Sequence, residues 1–141
     1  MRRKVLFLCT GNSARSQMAE AIVNAQMGED WQAFSAGIVP AGRVHPAALR
    51  ALDEIGIEHH GRSKSVDEFK DVPFDLVVTV CDDAAENCPV WLGPGSRSHL
   101  SFPDPAKTVG TEGEVMAAFR ATRDSMLERV VGLLTQVSGD S

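Results

Sequence analysis

The sequence is short of basic residues and of long apolar runs. Its 141 residues carry 14 Lys and Arg against 19 Asp and Glu, which gives a net charge of -5. An acidic chain without a basic block is a poor partner for nucleic acid or for an anionic membrane surface. No apolar run reaches the roughly 18 residues that a membrane span needs. We therefore expect neither nucleic acid nor a membrane among its partners.

Cysteine is also scarce, with only Cys9, Cys81 and Cys88 in the chain. An odd count argues against a framework made of disulfides alone. The basic and then apolar beginning resembles a signal peptide, but its apolar part is too short and runs into a polar glycine loop. We therefore expect a cytoplasmic protein, in which thiols serve chemistry or packing.

What the sequence does contain is an alternation of short apolar stretches with amphipathic ones. The predicted strands are 4–8, 31–37, 75–80 and a weaker 97–102, and the predicted helices are 16–27, 45–56 and 114–137. Strands that alternate with helices imply βαβ units and a parallel sheet. We predict an α/β fold over residues 1–141, a single-domain three-layer sandwich around a central four-stranded parallel sheet.

Three chemically useful residues follow predicted strands. Cys9 follows the first strand, Cys81 the third, and Asp104 the weaker fourth. In open parallel sheets, ligands bind beyond the carboxyl ends of the strands. We expect these three residues to meet at one edge of the sheet.

The loop from Cys9 to Arg15 has the composition of an oxyanion cradle. Gly11 permits unusual backbone angles and Asn12 tolerates the left-handed region. The helix that follows directs its positive end at the loop, Arg15 adds a planar fork of donors, and this field favours the thiolate of Cys9. The residues expected to bind the oxyanion are Thr10, Gly11, Asn12, Ser13, Ala14, Arg15 and Ser16.

The alternative interpretation of this loop is a small buried cysteine beside an ordinary turn, because a cysteine six residues before an arginine is a short and common pattern. The position of the loop, after a predicted strand and before a predicted helix, favours the cradle.

The stretch LFLCTGNSARSQMAE resembles the opening of the low-molecular-weight protein tyrosine phosphatases, and more closely that of the arsenate reductases that share their fold. Thr10 and Gln17 look like the reductase branch, and further matches lie at 35–37, 77–89 and 104–105. The resemblance implies a phosphatase-like fold and a cofactor-free enzyme that reduces arsenate to arsenite in arsenic detoxification.

The resemblance also implies a relay of three cysteines. Cys9 would attack arsenate and form a thiol–arsenic adduct. Cys81 would then attack Cys9 and release arsenite, and Cys88 would attack Cys81 to leave a disulfide that thioredoxin reduces. In a helix Cys81 and Cys88 would lie about 10 Å apart, and a disulfide needs roughly 7 Å or less, so pairing requires the segment to unwind. Two unrelated thiols, or half of a metal site, remain the alternatives, although a zinc site would need further ligands that the sequence does not offer at the usual spacing.

Asp104 precedes a proline, and the resemblance implies that it is the general acid; a plain turn aspartate is the alternative. The chain has no Tyr, which disfavours the deep aromatic slot of a tyrosine phosphatase. A low-molecular-weight phosphatase acting on phosphomonoesters nevertheless remains the alternative function, and a non-catalytic oxyanion-binding or redox-signalling module is a third.

Some members of the family bind a monovalent cation beside this loop. Asn12, Glu20 and Ser35 match its ligands, and Lys64 places an ammonium group there in the alternative arrangement. We expect no other metal, and a monomer.

Overall fold

The computed structural model describes residues 2–82, 91, 93 and 95–139. The strands are β1 (Arg3–Cys9), β2 (Trp31–Gly37), β3 (Leu76–Thr79) and β4 (Ser96–His99), and the helices are α1 (Arg15–Gln26), α2 (Pro46–Asp53) and α3 (Glu112–Gly139). Two short 3-10 helices occupy Val66–Phe69 and Pro105–Lys107. No helix in this described part of the chain is both long and apolar enough to span a membrane.

The four strands form one parallel sheet in the order β2-β1-β3-β4, which confirms the predicted sheet. The register sets Cys9 opposite Gly37 on β2 and Leu8 opposite Thr79 on β3. All four strands therefore end at the same edge, where β1 is flanked on both sides.

The continuous apolar run of β1 is explained by burial on both faces of the sheet. Val5 and Phe7 belong to a cluster shared with all three α-helices, whereas Leu6 and Leu8 belong to a second cluster on the opposite face. Aromatic rings dominate the second cluster, with centroids 5.6 to 6.0 Å apart in edge-to-face contacts: Phe34, Phe69, Phe74 and Trp91. Among the described residues, the helix that contributes to this second cluster is the 3-10 helix Val66–Phe69.

The largest differences between the predicted and the observed element ends, three residues each, are at the ends of α2 and β4. Helix α2 ends at Asp53 and buries its alanine-rich side, so Ile55, which the predicted helix 45–56 includes, lies beyond the helix and is 36% exposed. Strand β4 ends at His99. The chain after it leaves the sheet and brings the Phe102 carbonyl to Arg15 at 3.1 Å.

Candidate active site

Cys9 is the last residue of β1, and its thiol is buried and free. The Asn12 amide donates to Cys9 Sγ at 3.3 Å, and Ser16 Oγ lies 2.8 Å from the same sulfur. Ser16 Oγ already accepts from Asn12 Nδ2 at 2.7 Å, so its own hydrogen is available to the sulfur. Two donors directed at one sulfur stabilise a thiolate.

Arg15 opens α1 and is almost fully buried. One guanidinium nitrogen donates to the Phe102 carbonyl at 3.1 Å, and another lies 3.6 Å from Asp104 Oδ2. The other carboxyl oxygen of Asp104 accepts from the Ala106 amide at 3.0 Å. The side chain of Asp104 is 20% exposed, so this carboxyl group is oriented by the chain but still reaches solvent.

The backbone of the loop is turned with its carbonyl groups outward. The carbonyls of Thr10, Gly11 and Ser13 accept hydrogen bonds from outside the loop. Their donors, at 2.8 to 3.0 Å, are the amides of Val39, Ala41 and His45 and the Ser63 hydroxyl. In a planar trans peptide the N–H points opposite to the C=O. Carbonyls held outward therefore turn the adjoining amides towards the interior of the loop.

The beginning of α1 adds further donors to this space. Ala14 precedes the helix and supplies no side-chain cap. The first amides of a helix have no partner within the helix and carry its positive end. Together with the Arg15 fork, they make the loop suited to a tetrahedral oxyanion.

Gly37 lets the loop lie against the end of β2. A Cβ atom at this position would come within 2.6 Å of the Thr10 carbonyl oxygen and 2.9 Å of the Asn12 nitrogen. Both neighbours are backbone atoms, so no side chain can be accommodated without displacing the loop.

Behind the loop, Asn12 is buried with a left-handed φ of 48°. Its Oδ1 accepts from the Lys64 amide at 2.8 Å and from Gln17 Nε2 at 2.9 Å. With the bond from Nδ2 to Ser16, three side-chain hydrogen bonds hold a backbone conformation that non-glycine residues adopt at a cost.

The side chain of Lys64 occupies the space next to Glu20 and Ser35. Its Nζ donates to the Arg62 carbonyl at 2.9 Å and lies 3.4 Å from Ser35 Oγ and 3.9 Å from Glu20 Oε1. Burial raises the pKa of Glu20 and lowers that of Lys64, and the attraction between the two charges partly opposes both shifts.

These residues do not fit a resident monovalent cation. An ammonium group already faces the Glu20 carboxylate, and both lone pairs of Asn12 Oδ1 are engaged by donors. A metal ion placed among Asn12, Glu20 and Ser35 would meet a like charge at short range.

Cys81 lies two residues beyond β3 and is fully buried. It is disulfide-bonded, whereas Cys9 is a free thiol. The amide of Val80 donates to the Leu8 carbonyl at 2.8 Å, so Cys9 and Cys81 follow backbone segments that are hydrogen-bonded to each other. The prediction for Cys88 lies outside the described residues.

Sequence reasoning missed Gln17 and His59 as parts of the site. Gln17 is fully buried in α1, and His59 contacts it with a ring nitrogen 2.7 Å from Gln17 Oε1. The signal for Gln17 was available, because a polar residue on a buried helix face requires hydrogen-bond partners. No local signal indicated His59.

Comparison with known proteins gives the family. The family model for low molecular weight phosphotyrosine protein phosphatase matches residues 4–141. An arsenate reductase of Halalkalibacterium halodurans is 45% identical over 132 residues, which cover 92% of this chain and 94% of the relative.

Solved structures agree with this assignment. The crystal structure of arsenate reductase from Archaeoglobus fulgidus shares 35% identity at a TM-score of 0.72, over 91% of this chain and 98% of that one. An arsenate reductase in the phosphate binding state matches with a TM-score of 0.76 and 27% identity, over 95% and 98% of the two chains. The chain therefore belongs to the low-molecular-weight phosphotyrosine protein phosphatase family and, within it, to the arsenate reductases.

Proposed function

We propose that this chain reduces arsenate to arsenite, with Cys9 as the nucleophile and with Cys81 and Cys88 carrying the oxidation to thioredoxin. One observation carries the proposal: a free, doubly hydrogen-bonded Cys9 thiol lies in an oxyanion loop next to the segment of a second, oxidised cysteine. A phosphatase needs the first sulfur and has no use for the second.

In the first step, the loop amides of residues 10–16 and the Arg15 guanidinium bind three oxygens of arsenate. The similarity to an arsenate reductase in a phosphate binding state supports such a ligand. The Cys9 thiolate attacks arsenic, and the oxygen on the opposite side departs as water after Asp104 has given it a proton. The product is a covalent adduct between Cys9 and As(V).

In the second step, the Cys81 thiolate attacks Cys9 Sγ. A sulfur–sulfur bond forms, the sulfur–arsenic bond breaks, and its electron pair reduces As(V) to As(III), which leaves as arsenite. The ladder that runs from β1 to β3 and continues to Val80 places the two backbone segments side by side, which supports this exchange.

In the third step, Cys88 attacks Cys81, which releases Cys9 as a thiolate and leaves a Cys81–Cys88 disulfide. Thioredoxin, a dithiol, then supplies the two electrons that the reduction of arsenate consumed. A free Cys9 together with an oxidised Cys81 is the pattern expected at this stage of the cycle. Reduced thiols of this kind belong in the cytoplasm, and we propose that a monomer carries out the cycle.

We further propose that Lys64 takes the place of the monovalent cation. Its ammonium group supplies the positive charge beside Glu20 and Ser35, while its backbone amide holds Asn12 Oδ1. One residue thus combines charge neutralisation with support of the loop.

The test is a count of free thiols after the fully reduced protein meets arsenate without any reductant. The proposal predicts that two of the three thiols disappear per arsenite formed, with Cys9 still free at the end. In Cys88→Ser, both remaining thiols should be lost to a Cys9–Cys81 disulfide, which peptide mapping identifies. Phosphate in place of arsenate is the control and should leave all thiols intact.

The other functions give different results in the same experiment. Steady turnover of p-nitrophenyl phosphate without thiol loss would establish a phosphatase. Neither turnover nor thiol loss would establish a binding module, and either result would refute the relay.

A further inference from the structure

His59 lies behind the oxyanion loop with its side chain only 9% exposed. Its Nε2 is 2.7 Å from Gln17 Oε1 and 3.7 Å from Glu20 Oε2. The next residue along the chain, His60, differs in every respect: its side chain is 82% exposed and contacts only the exposed Glu58 carboxylate at 3.0 Å among the interactions described.

The hydrogen bonds of Gln17 fix the orientation of its amide group. Gln17 Nε2 lies within donating distance of three acceptors: Asn12 Oδ1 at 2.9 Å, the Asn12 carbonyl at 3.2 Å and the Arg62 carbonyl at 2.8 Å. If the amide were reversed, an oxygen would face three oxygens. Gln17 Oε1 therefore faces away from the loop, and only a donor can satisfy it there.

His59 supplies that donor. Burial is the largest cause that lowers the pKa of His59, and the nearby Lys64 and His60 lower it further. The neutral ring has a single N–H, and the contact with Gln17 Oε1 assigns that hydrogen to Nε2.

Gly61 makes room for this arrangement. A Cβ atom on Gly61 would lie 2.3 Å from His59 Nε2 and 2.4 Å from Gln17 Oε1. The backbone of Gly61 does not have a positive φ, so the glycine is required here for space and not for conformation. The contact between His59 and Gln17 therefore depends on a glycine at position 61.

A continuous path of contacts leads from this feature to the sulfur. Gln17 Nε2 donates to Asn12, Asn12 Nδ2 donates to Ser16 Oγ, and Ser16 Oγ lies 2.8 Å from Cys9 Sγ. Asn12 also donates its amide directly to the sulfur and holds a left-handed backbone that its side-chain bonds must sustain. Loss of the Gln17 orientation would release one of the two bonds on Asn12 Oδ1.

We infer that His59 is a positioning residue for the nucleophile: its Nε2–H fixes the Gln17 amide so that Asn12 and Ser16 remain directed at Cys9 Sγ. The inference rests on the proposed role of Cys9 as the nucleophile. It concerns the reactivity of the sulfur alone, so its test does not require arsenate.

The experiment measures the rate of Cys9 alkylation by iodoacetamide across pH, in a Cys81→Ser, Cys88→Ser background that leaves Cys9 as the single thiol. His59→Leu, which has no donor, should raise the pH midpoint of alkylation by about one unit and slow the reaction below that midpoint by up to about tenfold, because less of the sulfur is thiolate. His59→Gln presents an N–H to the same oxygen and should restore the rate to within about threefold of the parent.

Two further variants keep the test decisive. Gly61→Ala should push the imidazole off Gln17 and shift the profile in the same direction as His59→Leu, so it serves if the leucine variant does not fold. His60→Leu is the matched control and should leave the profile unchanged. A folded His59→Leu or Gly61→Ala protein with the parent profile would overturn the inference. A shifted profile in this background, together with no thiol loss when the three-cysteine chain meets arsenate, would overturn the proposed relay and leave this inference standing.

Discussion

The two sides of the oxyanion loop use polar side chains in opposite ways. Behind the loop, Asn12, Gln17 and Lys64 are each held by two or more partners. On the reactive side, Asp104 is 20% exposed and its Oδ2 approaches Arg15 only to 3.6 Å, longer than a strong charge-assisted hydrogen bond. Rigidity and accessibility are therefore separated: the residues behind the loop fix the position of the donors, while the Asp104 carboxyl group in front of it stays loosely paired and open to solvent.

The largest effect should come from changing the reactive side at Arg15. Arg15→Lys keeps the charge but loses the planar guanidinium, which can donate to the Phe102 carbonyl and to an anion at the same time. We expect kcat/KM for arsenate to fall by about 10²- to 10³-fold, measured as the rate of arsenite formation. Arg129→Lys is the control, because Arg129 stacks on Phe102 at 4.4 Å outside the loop. Equal losses in the two variants would contradict a specific role for the Arg15 fork.

The back of the loop should respond mainly in stability. Asn12→Ala leaves the Lys64 amide without its acceptor, removes one of the three acceptors of Gln17 Nε2 and puts alanine at a φ of 48°. We expect a loss of about 2–4 kcal/mol in the free energy of unfolding, measured with urea. Asn12→Gly removes the same bonds without backbone strain, so it should lose about 1 kcal/mol less. Equal stability of the two variants would show that the left-handed backbone is not strained.

A smaller effect should distinguish Lys64 from a metal ion. Lys64→Ala removes the ammonium group beside Glu20 and opens space for a cation. Potassium chloride should then raise the melting temperature of the variant by about 2–5 °C over choline chloride at equal ionic strength. The parent and Lys70→Ala, which changes an exposed lysine, should show no such difference. A potassium response in the parent would contradict the replacement of the cation by Lys64.

The smallest effect should come from a change at Glu54, which is 33% exposed and pairs with Arg120 and Arg123. The hydrogen bond from Arg120 is the largest cause that lowers the pKa of Glu54 from 4.5 to about 2. Between these values the unfolded chain binds more protons than the folded one, so stability rises with pH there. The stabilisation is complete above pH 4.5 and is lost as pH falls through about 2.

Glu54→Gln should therefore be slightly less stable than the parent above pH 4.5, with the two curves converging at lower pH. Because Glu54 and Arg120 are 33% and 45% exposed, solvent screens their attraction and the difference at neutral pH should be small. Thermal melts from pH 2 to pH 7 measure it, and a gap that widens towards acid would contradict this assignment.

The sequence was informative where structure depends on neighbours in the chain. The buried run of β1, the helical spacing of α1 and the loop between them are local patterns, and the parallel order follows from βαβ connections. The bond between His59 and Gln17 joins residues 42 positions apart, and nothing local to either residue specifies the other. Ile55 fits a helical stripe, but α2 stops at Asp53, and helix ends depend on the packing that surrounds them.

Gly37 limits how the anion cradle can be redesigned. A Cβ atom at Gly37 would meet backbone atoms of the loop at 2.6 and 2.9 Å. A larger residue at this position of β2 therefore cannot be used to reshape the cradle. To accept a bulkier anion, the protein would have to be changed on the opposite side, around Asp104, where solvent already reaches the side chain. The size of anion that the loop accepts can thus be altered from the Asp104 side and not from β2.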